Sequence, residues 1–270
     1  MNPLIKKDRA GFKLGYNSIT KEGDSDLDTM IDFGIFKQSA NEEHFETHSK
    51  ESVWVLMSGS ADIEFGNIKK SIERKSIFDE APIAFHVCGD TAVKILAKSD
   101  CEWAVSRTSN NLQFEPMFFS SENLTPEFRG KGLVQDACLR NVRLIFDKTI
   151  RPKSNLVIGE VINLAGRWSS YPPHHHEQPE IYHYRFTEPQ GYGHGELGED
   201  VYKVKHFDTI KITGNVDHSQ CAAPGYGMYY LWVVRHIDGN PYMGFEFTKD
   251  HEWTLNENIQ GWSPKDFEGL

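Results

Sequence analysis

Short runs of apolar, β-branched and aromatic residues recur along the chain, each closed by Gly, Asn, Asp, Ser or Pro. Residues 53–57 (VWVLM) stop at Ser58-Gly59, and 93–97 (VKILA), 156–158 (LVI) and 229–234 (YYLWVV) follow the same rule. Runs of this length and composition favour strands, whose pleated surfaces accommodate such side chains. Sustained 3.6-residue periodicity is nearly absent, and its best instance, residues 125–134, is weak. The pattern therefore predicts an all-β chain, a sandwich or barrel.

The order of parts repeats. Glu51 opens an aromatic strand (ESVWVLMSG) and His86 follows before the run at Val93; Glu180 opens another (EIYHYRF) and His218 follows before the run at Tyr229. The segment between, residues 108–132, is rich in Asn, Ser, Pro and Glu. A boundary near residue 130 divides the chain into units 1–130 and 131–270, each long enough for its own core.

Composition narrows the partners. Lys and Arg number 29 against 39 Asp and Glu, a net charge of -10, which argues against duplex DNA or an anionic membrane. No run of eighteen apolar residues exists to form a spanning helix, and residues 1–15 contain no export-signal core, so a soluble cytoplasmic protein is expected. Cys88, Cys101, Cys138 and Cys221 form no CxxC pair and are expected to be reduced. Twelve His against 4 Cys direct any metal chemistry to imidazole and carboxylate ligands.

The sharpest local signal is WSSYPPHHHEQPEIYHYR, residues 168–185. Pro172 and Pro173 favour extended backbone, where i and i+2 share a side, so His174 and His176 converge while His175 faces away. Glu180 returns a carboxylate to the same point, and His218 is the best-placed distant fourth ligand. Three imidazoles and a carboxylate suit zinc, manganese, iron(II), cobalt or nickel and leave positions for water or substrate. In the first half the equivalent positions are Thr47 and Phe45, with His44 and His48 out of register. One metal site per chain is expected, with Glu51 and His86 able at most to bind something weakly.

The HxHx3E pattern with its distant His resembles the cupin metal motif. GRWSSYPPHHH, EIYHYRF, PQGYG, PGYGMYYLWV and DHEW together resemble the 5-deoxy-glucuronate isomerases of bacterial myo-inositol catabolism. ESVWVLMSGSADIEFG and KSIFDEAP fit the degenerate first cupin of that family. The resemblance implies a bicupin, two double-stranded β-helix (jelly-roll) barrels in one chain. It also implies metal-assisted aldose-ketose isomerisation of 5-deoxy-D-glucuronate to 2-deoxy-5-keto-D-gluconate through an enediolate, with His174, His176, Glu180 and His218 as ligands. The related ketol-isomerase of 4-deoxy-5-hexosulose uronate, isomerisation of another sugar acid, a cupin metal-dependent dioxygenase, and a non-catalytic sugar-binding cupin are the alternatives.

Proton transfer then needs a group near the metal, and Tyr182, Tyr184, His183, Tyr229 and Tyr230 are the candidates, alternation favouring Tyr182 and Tyr184. The sugar-acid carboxylate needs a fixed cation, for which Arg185 and Arg167 are nearest in sequence; alternation points Arg185 away from Glu180. Edge strands make a homo-oligomer plausible.

Overall fold

A computed structural model describes residues 2–259 and 261–264. The first half supplies β1 (Leu4–Ile5), β2 (Gly15–Thr20), β3 (Asp32–Gln38), β4 (Glu43–Thr47), β5 (Glu51–Phe65), β6 (Ile68–Arg74), β7 (Ala84–Val87), β8 (Ala92–Ala97), β9 (Cys101–Thr108) and β10 (Met117–Phe119). Then come β11 (Glu127–Arg129), β12 (Arg140–Phe146), β13 (Leu156–Asn163), β14 (Trp168–His175), β15 (Glu180–Phe186) and β16 (Tyr192–Leu197). The remainder are β17 (Asp200–Lys205), β18 (Thr209–Ile212), β19 (His218–Ala222), β20 (Met228–Arg235) and β21 (Glu246–Phe247), followed by a 3-10 turn, Lys249–Leu255. The chain is all-β, and among the described residues no helix is long and apolar enough to cross a membrane.

Three sheets form. A nine-stranded sheet is built from β2 to β10, a seven-stranded one runs β1-β18-β15-β20-β13-β12-β11, and a five-stranded one runs β17-β16-β19-β14-β21. Three apolar clusters fill the spaces between them. One, with Trp54, Phe65, Phe85 and Trp103, lies wholly among first-half strands, and another, with Tyr182, Tyr184, Tyr230 and Val204, wholly among second-half strands. The third joins the halves, setting Phe33, Val53 and Val55 against Ile158, Ile181 and Leu231.

Strands buried on both faces explain why the apolar runs are continuous rather than alternating. Along β20, Tyr229, Leu231 and Val233 enter the cluster between the halves, while Met228 and Tyr230 enter the second-half interior. Polar pairs reinforce the junction: Arg74 grips Glu160 at 2.8 Å through both terminal nitrogens, and Arg185 meets Glu102 at 2.6 Å. The extreme N-terminus crosses over as well, β1 pairing with β18 while Arg9 clamps the buried Asp208.

One expectation needs correction, and the weak helical periodicity at 125–134 comes to nothing. Residues 125–134 form no helix: Pro126, Gly130 and Gly132 interrupt it, β11 pairs with β12, and Val134, Gln135 and Asp136 all take left-handed backbone (φ 47°, 57° and 58°). Glu51 is also not in the place of Glu180. It shares the face of Val53 and Val55, looking toward the junction, whereas Glu180 shares the interior face of Tyr182 and Tyr184.

Glu51 and His86 offer no open ligand position. Glu51 Oε1 lies 2.7 Å from His86 Nε2 and also accepts Ser154 Oγ; Oε2 accepts Asn110 Nδ2 (2.7 Å) and the Asn155 amide (2.9 Å). Arg151 Nε donates to His86 Nδ1 at 2.9 Å. In the first-half interior, Trp54 (centroids 5.8 Å) and Phe65 (4.5 Å) both stack on Phe85, filling the space with aromatic rings.

Candidate metal centre

β14, β15 and β19 bring the site together. A register shift in β14 between Ser169 and His174 interrupts its ladder with β19, and His174 then pairs directly with His218. Period-two alternation sends His175 outward, where its Nδ1 meets Asp217 at 2.7 Å. Glu180 opens β15 on the interior face. His176 Nε2 lies 3.2 Å from Glu180 Oε2, and His218 Nε2 lies 3.5 Å from the same oxygen. One ligand atom from each of these three residues falls within 4.8 Å of the others.

His174 stands beside this trio rather than within it, its ring 4.3 Å from that of His218 and 6.4 Å from that of His176. Burial, with the neighbouring His218 and His176, holds the His174 imidazole well below its ordinary pKa. Burial also lowers His218, against the pull of Glu180. Its Nδ1 lies 3.0 Å from the Val216 carbonyl, a donor arrangement that leaves Nε2 with a lone pair, and Nε2 has no hydrogen-bond partner. His174 Nδ1 and His176 Nδ1 are likewise buried and unpartnered. Neutral imidazoles, one oriented through its far nitrogen, beside a carboxylate are a donor set that fits a divalent metal.

His174, His176 and Glu180 line a cavity of about 280 Å³. Val142, Val161 and Trp232 give the cavity an apolar floor, and Trp232 lies flat because β13 has glycine beneath it: a Cβ at Gly159 would come within 2.5 Å of the indole. Tyr182 and Tyr230 stack at 4.7 Å, and Ser170 Oγ reaches both hydroxyls, at 3.4 and 3.2 Å. Burial pushes Tyr182 well above the ordinary phenol range and raises Tyr230. Residues 241–247 cross the opening, with Tyr242 edge-on to His176 (4.8 Å) and Phe245 against His174 (4.2 Å).

Tyr182 and Tyr230 thus reach the cavity, and the other sequence candidates do not. Tyr184 is buried and donates to Gln220 at 2.6 Å, Tyr229 donates to Glu160 at 2.9 Å, and His183 lies 2.8 Å from Thr209 Oγ1 on the junction side of β15. Arg185 is spent on His183, Glu102 and the Phe207 ring, so it is no substrate anchor. Arg167 donates to the Gln135 carbonyl and is absent from the cavity wall. Sequence reasoning missed Arg140, Ser170, Tyr242 and Phe245. Alternation within β12, where Arg140, Val142 and Leu144 share a face, carried a signal for the first; nothing local marked the last two.

Comparison with known proteins agrees with this architecture. The model of the KduI/IolB family matches residues 4–254. The 5-deoxy-glucuronate isomerase of Geobacillus kaustophilus (strain HTA426) is 27% identical over 239 residues, 79% of this chain and 81% of that one. The 5-deoxy-glucuronate isomerase of Bacillus subtilis (strain 168) is 26% identical over 283 residues, 94% of this chain and 99% of that one. Among solved structures, an IolB-like protein from Salmonella typhimurium LT2 superposes with a TM-score of 0.83 at 22% identity, covering 95% of this chain and 100% of that one. The Lactobacillus farciminis oxalate decarboxylase formate complex superposes with a TM-score of 0.67 at 10% identity, covering 88% and 86%, a likeness of fold alone. The fold is a cupin fold, and the chain, an isomerase, belongs to the KduI/IolB family.

Proposed function

We propose that this chain converts 5-deoxy-D-glucuronate into 2-deoxy-5-keto-D-gluconate in the cytoplasm during myo-inositol catabolism. In this reading His174, His176, Glu180 and His218 hold a divalent zinc, manganese or iron ion. The observation that carries it is the convergence of His176, Glu180 and His218 at a cavity of about 280 Å³ that His174, His176 and Glu180 line, room for a small sugar acid. Relatives named for this reaction, aligned over most of the chain, support it. Residues 1–130 then form a first cupin unit without a metal site and 131–270 the metal-binding unit, a division supported by the separate apolar interiors.

The reaction is an internal redistribution: a proton leaves C2, a proton arrives at C1, and the aldehyde becomes a ketone with no external oxidant. A divalent ion in this site supplies Lewis-acid stabilisation of the carbonyl and the adjacent hydroxyl oxygen. The protein's own groups orient the sugar and donate to its oxygens. His174, His176, Glu180 and His218 would hold that ion at one end of the cavity; Val142, Val161 and Trp232 exclude water from the sugar's carbon chain. Tyr182 and Tyr230, kept protonated by burial, donate to sugar oxygens as negative charge grows there, and Ser170 links the two hydroxyls so that a proton can pass between them.

The test follows 5-deoxy-D-glucuronate by NMR, without oxygen, using protein of measured metal content before and after chelation. Isomerisation that disappears with the metal and returns on reloading is the expected result. Protein that binds no metal and leaves the sugar unchanged overturns the reading.

A further inference from the structure

The cavity contains an arginine that the fold leaves unspent. Of the buried arginines, Arg74, Arg107 and Arg185 each meet a carboxylate, at 2.8, 2.6 and 2.6 Å, while Arg143 donates to the carbonyls of Ile77, Phe78 and Glu80 and Arg235 to Thr108 and the His236 carbonyl. Arg140 is half-buried at the start of β12 and has no carboxylate partner among the described residues; its one hydrogen bond, from Nη1, goes to the Cys138 carbonyl at 2.9 Å. In a chain with 39 acidic side chains, a desolvated guanidinium without one is conspicuous. Arg140 lines the cavity in company with Ser170, His174, Tyr182 and Tyr230. The other cations in the wall are differently engaged. Arg129 is exposed and bonded to Glu127 at 2.8 Å, and Lys148 donates to the Ser154 carbonyl at 2.8 Å.

The backbone holds Arg140 in place. Val134, Gln135 and Asp136 wind left-handed before Cys138, a conformation unfavourable for residues with a side chain. The turn is fastened by the Asp136 carboxylate to the Gly132 amide (2.6 Å) and by the Trp168 amide to the Ala137 carbonyl (2.8 Å). It leaves the Cys138 carbonyl aimed at Arg140.

The geometry points to Arg140 as the residue that binds the substrate's carboxylate, selecting sugar acids over neutral sugars. This rests on the proposed isomerisation: the metal centre takes the carbonyl end of the chain, and Arg140 takes the acid end. A planar guanidinium with free N–H groups suits a carboxylate, and the apolar surroundings strengthen the pair. It also resolves the problem of an anionic substrate for a protein of net charge -10, which repels it at long range.

The experiment compares the wild-type chain with Arg140→Met and Arg140→Lys on 5-deoxy-D-glucuronate and on its neutral analogue with a hydroxymethyl group in place of the carboxylate. Arg140→Met is expected to lower kcat/KM for the acid roughly 100-fold or more and to leave the neutral analogue within about 3-fold, with Arg140→Lys recovering about 10-fold for the acid. Equal losses on both sugars, or no loss on the acid, overturn the assignment. Binding of the acid, measured by saturation-transfer NMR, separates the anchor from the reaction. Wild-type protein that binds without converting, with binding lost in Arg140→Met, sinks the isomerisation and keeps the anchor. Wild-type protein that neither binds nor converts the acid sinks both.

Discussion

Glu160→Gln tests how the two halves are held together. Glu160 and Arg74 are both fully buried, joined by two bonds of 2.8 Å; Arg143 approaches the same carboxylate at 3.7 Å, and Tyr229 donates to it at 2.9 Å. Glutamine keeps the volume and one acceptor, so Tyr229 keeps a partner. The charge is lost, and two guanidiniums face each other away from water with no carboxylate between them. Breaking a buried pair from one side costs about 3–5 kcal/mol. At about 2.1 cal/mol/K of unfolding entropy per residue, a 270-residue chain unfolding as one unit would lose about 7 °C in Tm for a loss of about 4 kcal/mol.

Urea unfolding followed by tryptophan fluorescence, with calorimetry as a second measure, reads the change. Arg74→Met combined with Glu160→Leu supplies the control, since removing both charges should recover most of the loss and give a coupling above about 1 kcal/mol. A Glu160→Gln protein within about 1 kcal/mol of wild type, or a double variant no better than the single, would refute the reasoning.

Other outcomes follow from the same geometry. His218→Ala should lower metal content at least about 10-fold by elemental analysis while leaving the far-ultraviolet circular dichroism intact, since it removes a donor already oriented by Val216. Tyr182→Phe should lower kcat about 100-fold with little change in KM, because its hydroxyl acts as charge develops. Gly159→Ala should destabilise by about 1–3 kcal/mol and raise KM, the added methyl meeting Trp232 at 2.5 Å and the Arg143 carbonyl at 2.9 Å; unchanged kinetics would show that the indole does not shape the cavity. Burial, together with Arg185 for His206 and Lys148 for His236, pushes both histidines down to about 4 from an ordinary value of 6.5. Because the unfolded chain takes up those protons first, stability is complete above pH 6.5 and falls as the pH drops toward 4. His206→Gln should flatten part of that slope in denaturation measured across pH.

Much of the candidate site's geometry was legible because it depends on local rules. Proline-guided extended backbone and period-two alternation separate His174 and His176 from His175, place Tyr182 with Glu180, and turn Arg185 away. Continuous apolar runs at 53–57 and 229–234 marked strands buried on both faces. Strand neighbours across the chain were not legible. That β1 would add to a second-half sheet, or that Tyr242 and Phe245 would cross the cavity mouth, follows from contacts between segments far apart in sequence.

The repeat shows where local rules stop. Glu51 and Glu180 both open aromatic strands, and texture alone makes them equivalent; yet sequence order does not specify face, and a slip of one residue exchanges interior for exterior. Ser52, Trp54 and Leu56 occupy the parity that Glu180, Tyr182 and Tyr184 occupy in the second half. Tryptophan and phenylalanine therefore fill the interior where the second half keeps a cavity, and the acid-histidine pair of the first half faces the junction. There Glu51 and His86 bind Ser154, Asn155 and Arg151, the segment leading into β13, whose Gly159 supports Trp232 beside the metal centre. The first half thereby packs its acid-histidine pair against the segment that leads into the strand lining the cavity.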